Sequence, residues 1–414
     1  MALRTIMHPA VFRDRRDIYI ALTAPALGYL AARLIANVVS AASYSGILPK
    51  PKTSRAPEQK FLTAAETEDV PYAPDALPGG RNVDTPYGNA RVYEWGPVNG
   101  RKVLFVHGIS TPCIALARMA KALMRRGGCR VMLFDLFGRG YSDTPDPRVY
   151  RQDISLFSAQ MLAVLASSEL DWMGGFTLVG YSLGGGIAAA FTSYFPDLVE
   201  SLVLVAPGGL LRSTRVSVSS KLLYSGLLPD WLVHYWVGSK LRAAGDVKPN
   251  VPKMRSLPPG KIDVTDAATE ELPDDNGAHG QDSMSPIFED RPKVSPATAV
   301  AWQVKAHEGF IPAFVSCVKY APIHDGHERW RIVGKRCEAR RNQLEARGLV
   351  EGKVLLILGL QDVVISSSET AKDAKEALGE ENLHMAILQG GHDLPIVNAE
   401  GCVKTMMDFW TGAI

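Results

Sequence analysis

A mostly parallel, doubly wound α/β sheet with a helical cap inserted late in the sheet, preceded by an N-terminal hydrophobic helix, is the architecture this sequence predicts. Three observations carry it. Short apolar runs such as Val103–Val106, Phe176–Val179 and Leu202–Val205 alternate with stretches in which Ala, Leu and Met recur at helical spacing. Strands apolar on both faces need helices on both faces, the signature of a parallel sheet. One run ends in Gly180-Tyr181-Ser182-Leu183-Gly184 and opens an alanine-rich helical stretch, which is glycine-x-serine-x-glycine in the strand–turn–helix setting that gives it mechanical meaning. The alternation then lapses from 210 to 350 and resumes at Lys353, the mark of an insertion between two strands of one sheet.

With 414 residues, 46% of them hydrophobic, the chain can bury a large core, as one big domain with insertions or as two smaller ones. A net charge of +2 gives no reason to expect a nucleic-acid partner. The five cysteines (Cys113, Cys129, Cys317, Cys337, Cys402) are odd in number and lack Cys-x-x-Cys spacing. They make neither a disulfide framework nor a zinc site and read as reduced thiols.

Residues 1–48 form the N-terminal hydrophobic segment. After Arg13, Arg15 and Arg16 comes an uncharged run from Ile18 to Ala32; Arg33 interrupts it, and Leu34 to Leu48 is again mostly apolar and small. A bilayer span needs about 20 apolar residues, and an arginine near its middle costs about 2.5–3.5 kcal/mol. A span over residues 18–37 puts Arg33 near one end, where it can snorkel, and the arginines ahead of it favour a cytoplasmic N-terminus. The expectation is membrane association through this single anchor. A helix packed on the catalytic domain of a cytoplasmic protein, and a leader cleaved near Ser40-Ala41-Ala42, are the alternatives.

Residues 49–88, rich in Pro, Glu, Lys and Thr, read as a linker. The first part of the core, 89–209, opens with the alternating Ala90–Trp95, a turn at Gly96–Gly100 and the buried-type run Val103–Val106, which together predict a hairpin feeding the sheet. A helix over Cys113–Arg126, a strand at Arg130–Phe134, a helix over Ser155–Leu170, the Phe176–Gly180 strand, a helix from Ser182 to Phe195 and a strand at Ser201–Val205 follow. Residues 210–350 read as a helical cap, with 245–296 as a flexible loop because it is rich in Pro, Asp, Glu, Gly and Ser and almost free of aromatics. Residues 351–414 complete the core: strand Lys353–Leu358, helix Ser366–Leu378, strand His384–Leu388 and helix Ala399–Trp410.

A serine hydroxyl is almost unionised at neutral pH, so Ser182 as a nucleophile needs a base and an orienting acid. Asp362 lies on the loop leaving the 353–358 strand, and His392 on the Gly390-Gly391 turn leaving the 384–388 strand. Loops at the C-terminal ends of parallel strands share one edge of the sheet, so Ser182, Asp362 and His392 can converge there, in the chain order expected of such a triad. The turn His107-Gly108-Ile109 after the 103–106 strand supplies an N–H, that of Ile109, to join the N–H of Leu183 in an oxyanion site. One such donor is typically worth about 2.7–4 kcal/mol in the transition state. His107 is a rival base and a candidate substrate contact, although its place between a buried strand and a glycine suits a histidine that fixes the loop.

Taken together, His107-Gly108, Asp135-Leu-Phe-Gly138-Arg139-Gly140-Tyr-Ser142-Asp143, Gly180-Tyr-Ser182-Leu-Gly184-Gly185, Asp362 and His392 resemble the serine-nucleophile branch of the α/β-hydrolase superfamily. The resemblance covers 90–414 apart from the cap, and its nearest look is to esterases, monoglyceride-lipase-like enzymes and carbon–carbon bond hydrolases. It implies Ser182 as nucleophile, His392 as base, Asp362 as the acid that holds its tautomer, Ile109 and Leu183 as backbone oxyanion donors, and a helical cap over the site. An epoxide hydrolase or dehalogenase is disfavoured, because those branches carry Asp where this chain has Ser182.

Trp231, Tyr235, Trp236, Trp302, Phe310 and Phe314 of the cap either line an acyl or aromatic pocket or form its packing core. Trp302 and Phe310, with His107 and Tyr181, are the candidate substrate contacts. The run of basic residues from Arg329 to Arg341 reads as a solvated helix face, or as one that touches anionic headgroups. The expected reaction is hydrolysis of a carboxylic ester, small-molecule or lipid-like, through an acyl-enzyme, with no metal or organic cofactor. A carbon–carbon bond hydrolase, a thioesterase or acyltransferase, and a hydrolase-like binding protein that does not turn over are the alternatives.

Overall fold

Eight strands make one sheet: β1 (Gly80–Thr85), β2 (Gly88–Trp95), β3 (Lys102–Val106), β4 (Arg130–Phe134), β5 (Phe176–Tyr181), β6 (Val199–Val205), β7 (Val354–Gly359) and β8 (Leu383–Leu388). Their order across the sheet is β8-β7-β6-β5-β3-β4-β2-β1. From β4 to β8 every pairing is parallel, and only the β1 and β2 edge runs antiparallel. The computed structural model describes residues 15–42, 52–57, 70–245, 280–343 and 347–413. Most of the loop expected to be flexible, 246–279, lies outside the described residues.

The continuous apolar runs follow from a sheet covered on both sides. Leu104, Val106, Met132, Phe134, Leu178, Leu204 and Leu356 enter one buried cluster; their neighbours Val103, Phe105, Val131, Leu133, Val179, Val203 and Leu355 enter the other. Successive side chains of a strand point to opposite faces, so both must be apolar when both faces are dry. The first cluster is closed by α3 (Ile154–Ala166), α4 (Leu183–Tyr194), α9 (His327–Arg341) and α10 (Ser367–Leu378), the second by α2 (Ala117–Gly127) and α11 (Ala399–Thr411). Local chemistry marks the ends. Asp153 caps α3 by accepting from the N–H groups of Ser155 and Leu156, and α2 stops at Gly128, which takes the left-handed conformation at φ 55°.

Between β6 and β7 the cap carries α5 (Val218–Leu223), α6 (Asp230–Gly245), α7 (Pro296–Ala306) and α8 (Phe310–Tyr320), followed by α9. Ser295 and Thr298 form a capping box at the start of α7, with Pro296 at its first turn. The chain breaks between α7 and α8 at His307-Glu308-Gly309.

Two expectations are corrected. The turn at 96–100 does not join paired strands: β2 pairs with β1 and β4, while β3 sits between β4 and β5. A strand as apolar as β3 is driven to the centre of the sheet, and the more polar β1 and β2 form the edge hairpin. Residues 49–88 are not wholly a linker, since β1 starts at Gly80, Tyr72 and Leu77 are buried, and Thr53–Ser54 bridges Thr144–Pro145. The basic run on α9 is partnered while Arg331, Lys335 and Arg341 stay exposed: Arg336 pairs with Asp197, Arg331 with Glu328, Arg329 lies over the Tyr194 ring and Arg341 donates to the Gly352 carbonyl.

The N-terminal helix α1 (Arg15–Ala42) contains Pro25. Arg33 donates to the Leu228 carbonyl at 3.4 Å and pairs with Asp230 at 3.2 Å. Among the described residues no helix is long and apolar enough to cross a membrane, so the span expected over 18–37 is not supported. The arginine expected to reach headgroups is instead tied to the first turn of α6.

Candidate active site

Tyr181 ends β5 and Leu183 begins α4, leaving Ser182 alone to make the turn, at φ 53° and ψ −122°. A non-glycine residue in that region is strained by about 1–3 kcal/mol and persists only when its surroundings over-determine it. Here the Ser182 N–H donates to the Val205 carbonyl at 3.1 Å, and its own carbonyl accepts from Gly185 and Gly208, both at 2.8 Å. The flanking glycines are required by close approach: a Cβ on Gly180 would strike the Gly184 carbonyl, and one on Gly184 the Val106 carbonyl.

Two other strand ends bring up the partners. The Ser182 hydroxyl lies 2.9 Å from His392 Nε2, and His392 Nδ1 lies 2.9 Å from Asp362 Oδ2. The Asp362 side chain is fully buried and that of His392 is 4% exposed, so water competes little for either bond. The second carboxylate oxygen of Asp362 accepts from the N–H groups of Val364 and Ile365 at 2.9 and 2.8 Å, which fixes its plane. With the carboxylate as acceptor, Nδ1 carries the proton and Nε2 offers a lone pair to the serine hydroxyl. The glycine-rich turn before His392 is tied down as well, with Gly390 N–H donating to Gln361 at 2.7 Å and Gly391 N–H to Asp282 at 2.8 Å.

The β3 turn passes directly over Ser182, since a Cβ on Gly108 would stand 3.3 Å from Ser182 Cβ and 3.7 Å from its Oγ. Leu183 is the first residue of α4, so its N–H has no carbonyl one turn back to bond. Ile109, the other expected oxyanion donor, is held from behind: its carbonyl accepts from Arg139 Nε at 2.9 Å. Arg139 is fully buried and also donates to the Phe137 carbonyl at 3.1 Å and the Cys317 sulfur at 3.2 Å. Gln303 of α7 donates to the Ser110 carbonyl and accepts from Gly140 N–H, both at 2.9 Å.

The cap is thus bonded to the loop that faces Ser182, through Arg139 and Gln303. Arg139 entered the sequence reading only as part of the Asp135–Asp143 stretch, and Gln303 not at all, because nothing in a helix pattern says which polar residue turns inward. Gln303→Ala leaves a buried carbonyl and a buried N–H without this partner and is expected to cost about 1–3 kcal/mol. Urea unfolding measures it, and a midpoint equal to that of the unsubstituted protein would remove the strut.

The four expected substrate contacts fare differently. His107 is fully buried, with Nδ1 2.8 Å from the Gly108 carbonyl and Nε2 accepting from Leu136 N–H at 2.9 Å. Burial, with the nearby Arg139, pushes its pKa down to about 3, so it is a neutral loop fastener and not a substrate contact or base. Trp302 is 7% exposed and packs on Tyr72 and Tyr141 at ring-centroid distances of 5.5 and 5.3 Å. Phe310 is fully buried against Phe314 at 6.2 Å. Both are packing core, while Trp231, Tyr235 and Trp236 on α6 and Tyr320 on α8 are exposed. Tyr181 does reach the site, its ring 5.4 Å from the His392 ring and its hydroxyl donating to Asp393 at 2.9 Å.

Residues 102–399 match a protein family described as alpha/beta hydrolase fold. An uncharacterized protein of Mycobacterium tuberculosis is 32% identical over 120 residues, 28% of this chain and 32% of that protein. Lipase LipV of the same organism is 31% identical over 142 residues, 34% of this chain and 49% of the lipase. The matched stretches thus span about a third to a half of these relatives' own lengths. Among solved structures, the enol-lactonase from Burkholderia xenovorans superposes with a TM-score of 0.53 at 14% identity, over 80% of this chain and all of that one. At that identity the likeness is one of fold.

Proposed function

The chain belongs to the alpha/beta hydrolase fold family, and we propose that within it the protein is a serine hydrolase cleaving a carboxylic ester through an acyl-enzyme. The observation that supports this reading most is the continuous chain of hydrogen bonds from Ser182 through His392 to Asp362, each link 2.9 Å long. His392 Nε2 takes the Ser182 proton as Oγ attacks the ester carbonyl. The N–H groups of Leu183 and Ile109 receive the charge developing on the carbonyl oxygen. The protonated imidazole then gives its proton to the departing alcohol, and the acyl group stays on Oγ. Water enters, loses a proton to Nε2 and releases the acid. Asp362 holds the ring through Nδ1 and stabilises the imidazolium.

A fluorophosphonate probe tests the chemistry directly. It is expected to label the protein, to fail on Ser182→Ala, and to label Ser110→Ala as well as the parent. Ser110 is the control because its hydroxyl is buried on the neighbouring loop without a hydrogen-bond partner among the described residues. Well-folded protein that takes no label overturns the enzyme reading and favours a hydrolase-like binding protein. A panel of nitrophenyl esters of graded chain length, run beside a vinylogous diketone and an acyl thioester, then sorts the substrate class. Turnover of the diketone alone makes the protein a carbon–carbon bond hydrolase working with the same three residues.

A further inference from the structure

Two groups at the site have no part in the sequence of proton transfers above. Tyr181 immediately precedes Ser182, and Asp393 immediately follows His392. The Tyr181 hydroxyl donates to Asp393 Oδ1 at 2.9 Å across 212 residues of chain, beside the His392–Ser182 bond that spans 210. Both residues are buried, at 2% and 4% exposure. The same tyrosine ring packs on the imidazole, centroids 5.4 Å apart and planes tilted by 39°.

The loop carrying His392 has reason to need such a hold. It leaves β8 through Gln389-Gly390-Gly391, with Gly390 at φ 133°, and glycines permit more backbone conformations than other residues. Its tethers on the outer side are Gln361 and Asp282, which hold the N–H groups of Gly390 and Gly391. Neither fixes the imidazole against the nucleophile's strand. We propose that Tyr181 and Asp393 form a staple between the residues flanking the nucleophile and the base, making both of them positioning residues that set the His392 ring at hydrogen-bonding distance from Ser182.

This rests on the reading of Ser182 and His392 as nucleophile and base. A buried carboxyl at the start of the short Leu394–Val397 helix, where its side chain caps no backbone N–H, would be a poor choice for packing alone. Burial raises the Asp393 pKa to about 6 against the pull of His392 and the Tyr181 hydrogen bond, with Asp282 and Asp362 adding to the rise. Above that pH Asp393 is a second anion beside the imidazole, together with Asp362, and favours its protonated form. The staple therefore has a mechanical part, carried by the hydrogen bond, and a charge part, carried by the carboxylate.

Three variants separate the parts, measured on nitrophenyl ester turnover by the full chain. Tyr181→Phe keeps the ring and loses the bond; Asp393→Ala loses bond and charge; Asp393→Asn keeps an acceptor for the tyrosine and loses the charge. A misplacement of about 1 Å costs on the order of 100-fold in rate, so Tyr181→Phe and Asp393→Ala are expected to lower kcat about 10- to 100-fold with KM little changed. The double variant is expected to be no worse than either single one. Asp393→Asn is expected to restore most of kcat and to move the acid limb of the kcat/KM profile to lower pH by about half a unit or more, because an anion that favours the imidazolium is gone.

Single variants that lose thermal stability but keep kcat and the acid limb would make the pair structural only and overturn the staple. So would losses in the double variant that simply multiply. Failure of the parent reading looks different. If the unsubstituted chain neither turns over esters nor takes a fluorophosphonate, the hydrolase proposal falls, and a double-mutant cycle on unfolding still shows whether Tyr181 and Asp393 are coupled.

Discussion

Ser182→Ala is expected to lower kcat by about a million-fold, the scale on which removing the nucleophile of a serine triad acts, while leaving the fold intact. The residue is 6% exposed and its backbone is held by bonds from Gly185 and Gly208 and to Val205, none of which involves the hydroxyl. Alanine keeps the backbone strain at φ 53°, so its unfolding midpoint should match that of the parent. Ser182→Gly should be equally inactive yet more stable by about 1 kcal/mol, because glycine occupies positive φ without a Cβ clash. Steady-state kinetics and urea unfolding of the two variants test both halves. A Ser182→Ala protein that keeps more than a thousandth of the parent rate would mean that the nucleophile lies elsewhere.

Asp362→Asn is expected to lower kcat about 10,000-fold, as removal of the orienting carboxylate does in this chemistry. The reason lies in how the side chain is held. One oxygen accepts from two N–H groups, those of Val364 and Ile365, so an amide must turn its own oxygen to them and its NH2 to His392. Nδ1 then has to accept a hydrogen bond, the proton moves to Nε2, and the base faces Ser182 with no lone pair. Substrate binding should be nearly untouched, so kcat and kcat/KM fall together. Retention of a tenth or more of the activity would move the orienting role to another carboxylate, and Asp393 is the one next to the ring.

Much of this arrangement could be read from local pattern. The apolar runs marked β3 to β7, because a strand covered on both faces needs no alternation. The tight turn at Ser182 was legible because only glycine tolerates the approaches made at 180 and 184. Asp362 and His392 followed from parallel topology, which gathers strand-end loops along one edge. The edge hairpin was misread because β1, with a single buried residue in six, has too weak a pattern to stand out in a polar stretch. The anchor over 18–37 was inferred from hydropathy, which does not register that Arg33 finds Asp230 almost two hundred residues away.

By itself, then, the sequence determined the class of sheet, the chain order of β2 to β8, and the residue types offered at the edge where the strand-end loops gather. These are set by side-chain periodicity, turn stereochemistry and the polarity of short segments, all properties of neighbouring residues. Only the tertiary structure decided which groups meet: His107 fastening a loop while His392 faces Ser182, Gln303 and Arg139 bracing the turn at Ile109, Trp302 and Phe310 packed against other aromatic rings, Tyr181 joined to Asp393. Such pairings join residues far apart in the chain, and burial decides them by making each unpaired polar group costly wherever packing puts it.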